Sequence, residues 1–235
     1  MNISWDYILE SLKSGLQYFP NTLKLVMIPT FLGLIIGTII AFVQTFKIPV
    51  IGKLSRVLIT LYRGIPIVVA LMIYNLLFTL KFEAVARFFR LNISIADVDQ
   101  IIVGIFALTL MSICLMTESI RGGLIAIDNG QFEAGYSIGL TRMQTLRRII
   151  IPQLIPISIP PLTNNVIGII KGSSITMAIG ITEVLAGALI PGSKSYSFLE
   201  GYIAAAVIYW MFTVILEQLS KYLELRGKNF KRSLV

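Results

Sequence analysis

The chain contains no histidine and only one cysteine, Cys114. Without histidine it lacks both the commonest metal ligand and the commonest general base. A Cys/His metal cluster and a Ser-His-Asp catalytic set are therefore excluded, and a single cysteine cannot form an intrachain disulfide. We expect neither catalytic residues nor a metal site in this chain.

Charged residues are also scarce. They make up 14% of the chain, against about 25% in a typical soluble domain. Hydrophobic residues reach 56%, and the mean hydropathy is +0.83. The sequence has no Gly-x-x-x-x-Gly-Lys-Ser/Thr phosphate loop, so any ATP must be bound by another chain. This composition predicts an all-α integral membrane protein.

Five stretches without a formal charge are long enough to mark membrane spans, because a helix needs about 20 apolar residues to cross a bilayer. A sixth stretch, 172–190, is rich in glycine and interrupted by Glu183, so we expect a partial or re-entrant element there. The predicted transmembrane domain covers residues 20–223, with spans at about 22–46, 58–81, 100–120, 149–171 and 201–220.

The first 19 residues carry apolar side chains at helical spacing, which predicts an amphipathic helix. Two placements stay open: the helix lies at the membrane interface, or it packs on the first span. Asp6 and Glu10 precede any basic residue, which is unlike a cleavable signal. The apolar positions are Trp5, Ile8, Leu9, Leu12, Leu16 and Phe19.

The lysine and arginine residues indicate the orientation. Most of the 20 fall on one side if the N-terminus is outside and the C-terminus is cytoplasmic. That orientation makes the loop 124–148 and a basic tail, 224–235, cytoplasmic. We interpret the net charge of +8 as the excess of basic residues on the cytoplasmic side, where anionic lipid is the partner. No folded basic domain is predicted that could bind nucleic acid.

The loop between the third and fourth spans has its own helix signals. A short helix is predicted near 131–138, with Gly139 as its stop, and Thr141 to Gln144 has the form of a capping box. Phe132, Tyr136 and Leu140 would share one side of this knob and fill a groove on a partner. Glu133 would pair with a partner base or cap a neighbouring helix. The alternative is a plain connecting hairpin.

The fourth span combines prolines with polar residues. Pro152, Pro156 and Pro160 recur on one helical face, which favours a pathway or a dimer seam. Asn164 and Asn165 follow, and adjacent amides within a span suit either solute contact or hydrogen bonds between helices. Lys171 would either snorkel to the outer interface or face a cavity. Elsewhere, Glu118 and Arg121 predict an internal ion pair, and Glu183 is read as an external charge or a gate residue.

Several blocks, in this order, resemble the polar amino-acid permeases of bacterial ATP-binding-cassette (ABC) importers. The resemblance covers about residues 20–220, and two positions depart from the pattern: Gly135 replaces an alanine and Ile151 a leucine. Gly135 should loosen its short helix by about 1 kcal/mol. The blocks are Arg63-Gly64-Ile65-Pro66, Thr117 to Leu124, Gly130 to Ala134, Gly139-Leu140, Ile149 to Gln153, Pro160 to Asn165 and Lys171 to Ser174.

The resemblance implies a five-span type I permease in the bacterial cytoplasmic membrane. It implies a second permease copy or paralogue, two ATPase subunits that hold ATP and magnesium, and an external solute-binding protein. The implied ATPase-coupling residues are Phe132, Glu133, Ala134, Gly135, Tyr136, Gly139 and Leu140. The implied substrate-binding residues are Asn164, Asn165, Lys171, Ser173 and Ser174.

The uncharged amides of Asn164 and Asn165 favour a neutral or zwitterionic amino acid, such as cystine or glutamine. Two other function classes remain as alternatives. A membrane enzyme would need clustered acids near a bilayer face, and the predicted cytoplasmic acids, Asp128, Glu133 and Glu224, are well separated in sequence. A stand-alone secondary transporter would show an inverted repeat, which five spans do not divide into evenly.

Overall fold

The computed structural model describes residues 3–232, with side chains through Arg226. The described residues form helices and short helical turns, without strands. A π-helical turn, Leu146–Ile150, joins α7 to α8, and 3-10 turns lie at Ile95–Asp97 and Ser174–Ile179. The α-helices are α1 Trp5–Gln17, α2 Phe19–Thr45, α3 Ile51–Arg63, α4 Ile67–Phe88, α5 Ile101–Ile125, α6 Gly130–Ser137, α7 Arg142–Thr145, α8 Ile151–Ser173, α9 Val184–Ser195 and α10 Phe198–Arg232.

Five helical stretches are long and apolar enough to cross a membrane. They are α2, α4, α5, the continuous run Arg142–Ile179 that contains α8, and the part of α10 from Phe198 to Arg226. The prediction of an all-α protein with five spans is confirmed. Helix α10 continues through Arg232, so the predicted tail 224–235 begins as helix, and residues 233–235 lie outside the described residues.

The second span differs from the predicted range 58–81. The chain leaves the helical conformation at Pro66, which has a ψ angle of 134°. Proline also disfavours the helical conformation in the residue before it, so α3 ends at Arg63 and α4 begins at Ile67. Helix α4 then runs past Lys81 to Phe88, because helical hydrogen bonding does not stop at a charged side chain.

Helix α3 is an element that the charge-free windows did not reveal, since Lys53 and Arg56 interrupt it. It packs on α2 through Gly52, where an added Cβ would lie 3.2 Å from the Val43 carbonyl oxygen. The Gln44 side chain of α2 also donates to Ser55 Oγ at 3.3 Å. The opposite face of α3 is apolar and exposed on this chain.

Helices α2 and α5 form the centre of the bundle. Small residues let their backbones approach closely, as is common between membrane helices. A Cβ on Gly33 would lie 2.0 Å from Ser112 Oγ, and one on Gly37 would lie 2.9 Å from Met116 Cβ. A buried apolar cluster joins the C-terminal parts of α2 and α5 to the start of α8, and Phe132 of α6 packs against it. We call this end of the bundle the α6 end.

The N-terminal helix α1 packs against α9 and α10 rather than chiefly on the first span. Ile8, Ser11 and Gly15 are buried on its inner face, and Ser14 Oγ donates to the Gly187 carbonyl at 2.6 Å. Trp5, on the outer face, is 76% exposed. The amphipathic pattern therefore corresponds to a helix with one packed face and one open apolar face.

The glycine-rich stretch 172–190 comprises the end of α8, a 3-10 turn and the start of the short helix α9, which runs on to Ser195. After the 3-10 turn, Gly180 adopts a φ of +86°, which reverses the chain into α9. With 12 residues, α9 is too short to cross a bilayer, which takes about 20.

Glu183 is the N-cap of α9 and is fully buried, so it is not a surface charge. Its carboxylate accepts from the backbone N–H groups of Leu185 at 2.8 Å and Ala186 at 3.3 Å. It also accepts from the hydroxyl of Thr22 at 3.2 Å and from that of Tyr209. One carboxylate thus joins α2, α9 and α10.

Candidate coupling and solute sites

The loop that follows α5 folds as the sequence predicts. Helix α6 covers Gly130–Ser137, and Gly139 continues the chain with a φ of +79°, a conformation that favours glycine. The capping box is formed: the Thr141 N–H donates to Gln144 Oε1 at 2.9 Å, and the Gln144 N–H donates to Thr141 Oγ1 at 3.3 Å. Helix α7 then continues through the π-helical turn into α8.

Gly135 has a packing role that the sequence pattern did not reveal. It is buried, and a Cβ at this position would lie 2.6 Å from Thr145 Cγ2 and 2.7 Å from Thr145 Oγ1. Such distances are far below van der Waals contact, so the glycine lets α6 lie directly against α7. The lower helix propensity of glycine is therefore offset by a close helix contact.

One side of α6 lies next to the end of α2. Phe132 and Leu140 are only partly exposed, and the Phe132 ring packs against the ring of Phe46 at the end of α2. Phe132 thus contacts the end of α2 and lines the same cleft as Tyr136. That these two residues and Leu140 fill a groove on a partner stays a prediction. Because α6 has only two turns, packing against α2 decides which of its sides is covered.

The apolar side chains that do point outward include two that the sequence analysis missed. Ile138 is 74% exposed, Met143 is 69% exposed and Tyr136 is 46% exposed. Ile138 and Met143 lie on either side of the Gly139 turn. Apolar residues on both sides of a tight turn were the sequence feature that could have revealed them. Glu133, Ala134 and Gly139 are exposed on the same loop.

A cleft of about 720 Å³ separates α6 from the adjoining ends of α2 and α5. Its wall includes Phe46, Phe132 and Tyr136, with Glu133 and Arg142 as its charged side chains. Among the described residues, Glu133 forms no ion pair. Its carboxylate is therefore available to a group from outside this chain.

On α8, Asn165 serves the helix contact that was the alternative to solute binding. Its side-chain amide donates to the Leu115 carbonyl at 3.1 Å and to Ser119 Oγ at 2.7 Å, both on α5. The Ser173 hydroxyl is buried and donates to the Ile170 carbonyl, and that of Ser174 donates to the Lys171 carbonyl. In this conformation, these three members of the predicted set are satisfied within the chain.

Asn164 and Lys171 are placed differently. Both are exposed, and with Pro160 they lie on one face of α8, since they are separated by four and seven residues. Space along this face is open between them, because a Cβ on Gly168 would meet nothing within 4 Å. The preceding residue, Thr163, turns away and shares a hydrogen bond of 2.6 Å with Ser220 of α10. The structure therefore brings only Asn164 and Lys171 of the predicted solute set onto one open face.

The predicted ion pair on α5 is confirmed, with Arg121 Nη2 at 2.6 Å from Glu118 Oε2. Arg63, at the end of α3, approaches the same oxygen at 3.9 Å. These three charges lie beside an apolar cavity of about 260 Å³ that Cys114, Met111 and Tyr62 help to line. They hold the break between α3 and α4 against α5.

Comparison with known proteins gives consistent results. Residues 30–228 match the family model described as "binding-protein-dependent transport system inner membrane component". The chain is 34% identical to the probable amino-acid ABC transporter permease protein PatM of Vibrio harveyi, over 95% of this chain and 96% of that protein. It is 30% identical to the L-cystine transport system permease protein TcyL of Bacillus subtilis, over 100% and 94% respectively.

Solved structures agree with these relatives. A chain from the crystal structure of an amino acid ABC transporter with histidines superposes with a TM-score of 0.78 at 30% identity, covering 96% of this chain and 100% of that one. The methionine ABC transporter MetNI shares the fold at a TM-score of 0.66 and 18% identity, over 89% of this chain and 96% of its own. The chain therefore belongs to the family of binding-protein-dependent transport system inner membrane components.

Proposed function

We propose that this chain is the permease subunit of an ATP-driven importer for a polar amino acid. The proposal rests on how α6 is connected to α8. Helix α6 lies at one end of the bundle, and the helical run Arg142–Ile179 that follows it contains the helix that bears Asn164 and Lys171. Relatives named as amino-acid and L-cystine permeases support the substrate class. Family membership stands against the two alternatives, a membrane enzyme and a stand-alone secondary transporter.

The proposal includes partners and an orientation. The N-terminus is external and the α6 end is cytoplasmic, where most lysine and arginine residues then fall. Two ATPase subunits dock at this end and hold the ATP and magnesium that this chain does not bind. A second permease, identical or paralogous, completes the pathway, and an external solute-binding protein delivers the amino acid.

Docking uses the outward side of the α6 loop. Tyr136, Ile138 and Met143 supply exposed apolar area. Glu133, which forms no ion pair with any described residue, supplies a carboxylate for a basic group of the ATPase. Movement of the docked loop then tilts α8, since the run from Arg142 through α7 and the π-helical turn into α8 is helical. This links ATP-driven motion to the solute pathway.

The solute contacts proposed from the geometry are Asn164 and Lys171. An amide both donates and accepts hydrogen bonds, and an ammonium attracts a carboxylate, so the pair suits a zwitterionic amino acid such as cystine or glutamine. Asn165 would join the site only after α8 moves relative to α5, because its amide donates to Ser119 of α5 here. Ser173 and Ser174 would join it only by breaking hydrogen bonds to the Ile170 and Lys171 carbonyls of α8 itself. The open face of α8 would border the second permease.

Co-purification and transport together test this function. The tagged chain is purified from its native membrane with the proteins that accompany it, and the complex is reconstituted in proteoliposomes with candidate solute-binding proteins. We expect an ATPase subunit to co-elute and uptake of a polar amino acid to require enclosed ATP. Solute uptake by the chain alone, without ATP, would contradict the proposal.

A further inference from the structure

Three aromatic rings and one guanidinium connect the loop at the α6 end to the end of α2. The rings of Phe42 and Phe46 stack at 5.8 Å, and the Phe46 and Phe132 rings meet edge to face at 6.3 Å. Cζ of Arg142 lies 4.6 Å from the centroid of the Phe46 ring. We call these four residues the aromatic clamp.

Phe46 is the centre of the clamp and its position is fixed by the backbone. It is the C-cap of α2, and its N–H donates to the Phe42 carbonyl at 2.9 Å. Directly after it, Lys47 adopts a φ of +52°, so the chain turns sharply away from the helix. The ring therefore stands at a defined point on α2.

The two partners of Phe46 lie on opposite sides of the Gly139 turn. Phe132 belongs to α6 and Arg142 begins α7, so one ring of α2 holds both helices of the loop. A cation within about 6 Å of a ring centroid is attracted by the ring's quadrupole, and offset or edge-to-face rings attract one another as well. The loop is thus attached to α2 by side chains, in addition to its covalent continuation into α8.

Displacement of the loop would consequently reach the bundle by two routes. One route runs along the helical segment into α8. The other runs through Phe46 into α2, which packs closely on α5 at Gly33 and Gly37. The routes meet again where Asn165 of α8 donates to Leu115 and Ser119 of α5.

We propose that Phe46 and Arg142 are positioning residues for coupling, which tie the ATPase-docking loop to α2 so that α2 and α5 move together with α8. This inference rests on the proposed function, since it concerns how the same loop transmits motion. It adds a contact between the loop and the first span to the docking residues on the outward side. Phe46 and Arg142 form no ion pair with Glu133, although they line the same cleft.

The test uses the complete transporter in proteoliposomes with its solute-binding protein. Phe46→Leu and Arg142→Gln should each reduce the stimulation of ATP hydrolysis by loaded binding protein about three- to tenfold, as loss of one cation–π contact would. Co-elution of the ATPase and unstimulated hydrolysis should stay within twofold of wild type. Phe46→Tyr keeps the ring and should restore stimulation.

Arg142 is exposed, so a direct contact with the ATPase is the competing explanation. The double variant Phe46→Leu/Arg142→Gln separates the two. If the residues act through each other, the double variant should be no worse than the stronger single variant; multiplied effects would overturn the proposal. If the Phe46→Leu complex fails to assemble, the stimulation of ATP hydrolysis is compared in Arg142→Gln and Arg142→Lys only. Normal stimulation in Arg142→Gln would overturn the proposal.

Two matched controls accompany these variants. Arg148→Gln removes the same charge from the same loop, and among the described residues Arg148 has no ring contact. Phe82→Leu removes one ring from the Phe78–Phe82 pair in α4, away from the α6 end. Both should leave stimulation unchanged. Failure of the proposed function itself would look different, since the wild-type complex would then lack ATP-dependent uptake.

Discussion

At the scale of single residues, Glu183 illustrates how a buried carboxylate organises the bundle. It accepts four hydrogen bonds from three helices, and no lysine or arginine forms an ion pair with it among the described residues. Two of the donors, the N–H groups of Leu185 and Ala186, are among those that the start of α9 leaves without partners in the helix. The carboxylate therefore fixes α9 in position between α2 and α10.

We expect Glu183→Ala to destabilise the folded chain by about 2–4 kcal/mol, because it removes an N-cap and leaves buried donors unpaired. Glu183→Gln should be intermediate, since it keeps one acceptor oxygen. Thermal unfolding in detergent can be followed by labelling of the buried Cys114. Glu10→Ala, an exposed glutamate on α1, is the control, and equal unfolding temperatures for the Glu183→Ala and Glu10→Ala variants would contradict the role of Glu183.

Gly135 provides a second prediction at this scale, one in which two effects of opposite sign compete. Alanine would gain about 1 kcal/mol of helix propensity, whereas overpacking against Thr145 costs about 1–3 kcal/mol. We expect Gly135→Ala to lower the unfolding temperature and the ATP-driven uptake of the transporter. Gly135→Ala/Thr145→Ala, which removes the side-chain atoms nearest to the new Cβ, should regain both.

Comparison of the single and double variants shows whether the close contact between Gly135 and Thr145 limits stability and uptake. A single Gly135→Ala variant that is as stable as wild type would mean that α6 and α7 separate at little cost. Thr145→Ala alone serves as the matched control, since it creates space without filling it. The same unfolding and uptake measurements apply to all three variants.

At the scale of elements, local sequence signals predicted the helices whose ends and length depend on residues close together in the chain. The charge-free windows gave five spans, and the Thr141 to Gln144 capping box with Gly139 gave the helices of the loop. Pro66 is a helix-breaking residue visible in the sequence, but the second span was predicted from the absence of charge alone, so the break between α3 and α4 was not predicted. Helix α3 was missed because its packed face is set by contact with α2 and not by a continuous apolar run.

Which face of an element is open could not be predicted, since it depends on neighbours far away in sequence. Asn164 and Asn165 have the same side chain, yet only the second reaches α5. In the same way, Phe132 packs against Phe46 where α2 ends, whereas Ile138, just after α6, is 74% exposed. Single-sequence periodicity contains no information about these contacts.

The two asparagines make a matched pair of variants. Asn165→Ala should lower the stability of the chain by about 1–2 kcal/mol, because two hydrogen bonds between α8 and α5 are lost. Asn164→Ala should leave stability unchanged and raise the KM for solute uptake, because the amide faces open space along α8. Unfolding temperatures and uptake kinetics of the same preparations distinguish the two. The reverse assignment of effects would place the solute on the other face of the helix.

At the scale of the whole molecule, the described helices form a bundle with one specialised end. The α6 end combines an exposed docking loop, the aromatic clamp and the start of α8. From there, α8 carries Asn164 and Lys171 toward the other end, and Glu183 fixes the partial helix α9 among α1, α2 and α10. A movement applied at the loop thus has a continuous path along the molecule through α8.

The last prediction tests that path at its entry. Glu133 is exposed, lies on α6 and forms no ion pair among the described residues, so we expect it to meet a basic group of the ATPase. Glu133→Arg places like charges together and should lower ATP-driven uptake at least about tenfold, which corresponds to about 1.4 kcal/mol. Membrane insertion, measured by protease accessibility, should be unchanged.

Glu10→Arg, on α1, makes the same charge change away from the α6 end and should leave uptake normal. Co-elution of the ATPase tells which step Glu133 serves. If the Glu133→Arg complex falls apart, the carboxylate contributes to docking; if it stays assembled but hydrolyses ATP without uptake, the carboxylate contributes to coupling. Normal uptake together with normal stimulation of hydrolysis in Glu133→Arg would contradict the prediction. The ATPase would then act on the permease through a surface other than Glu133 of α6.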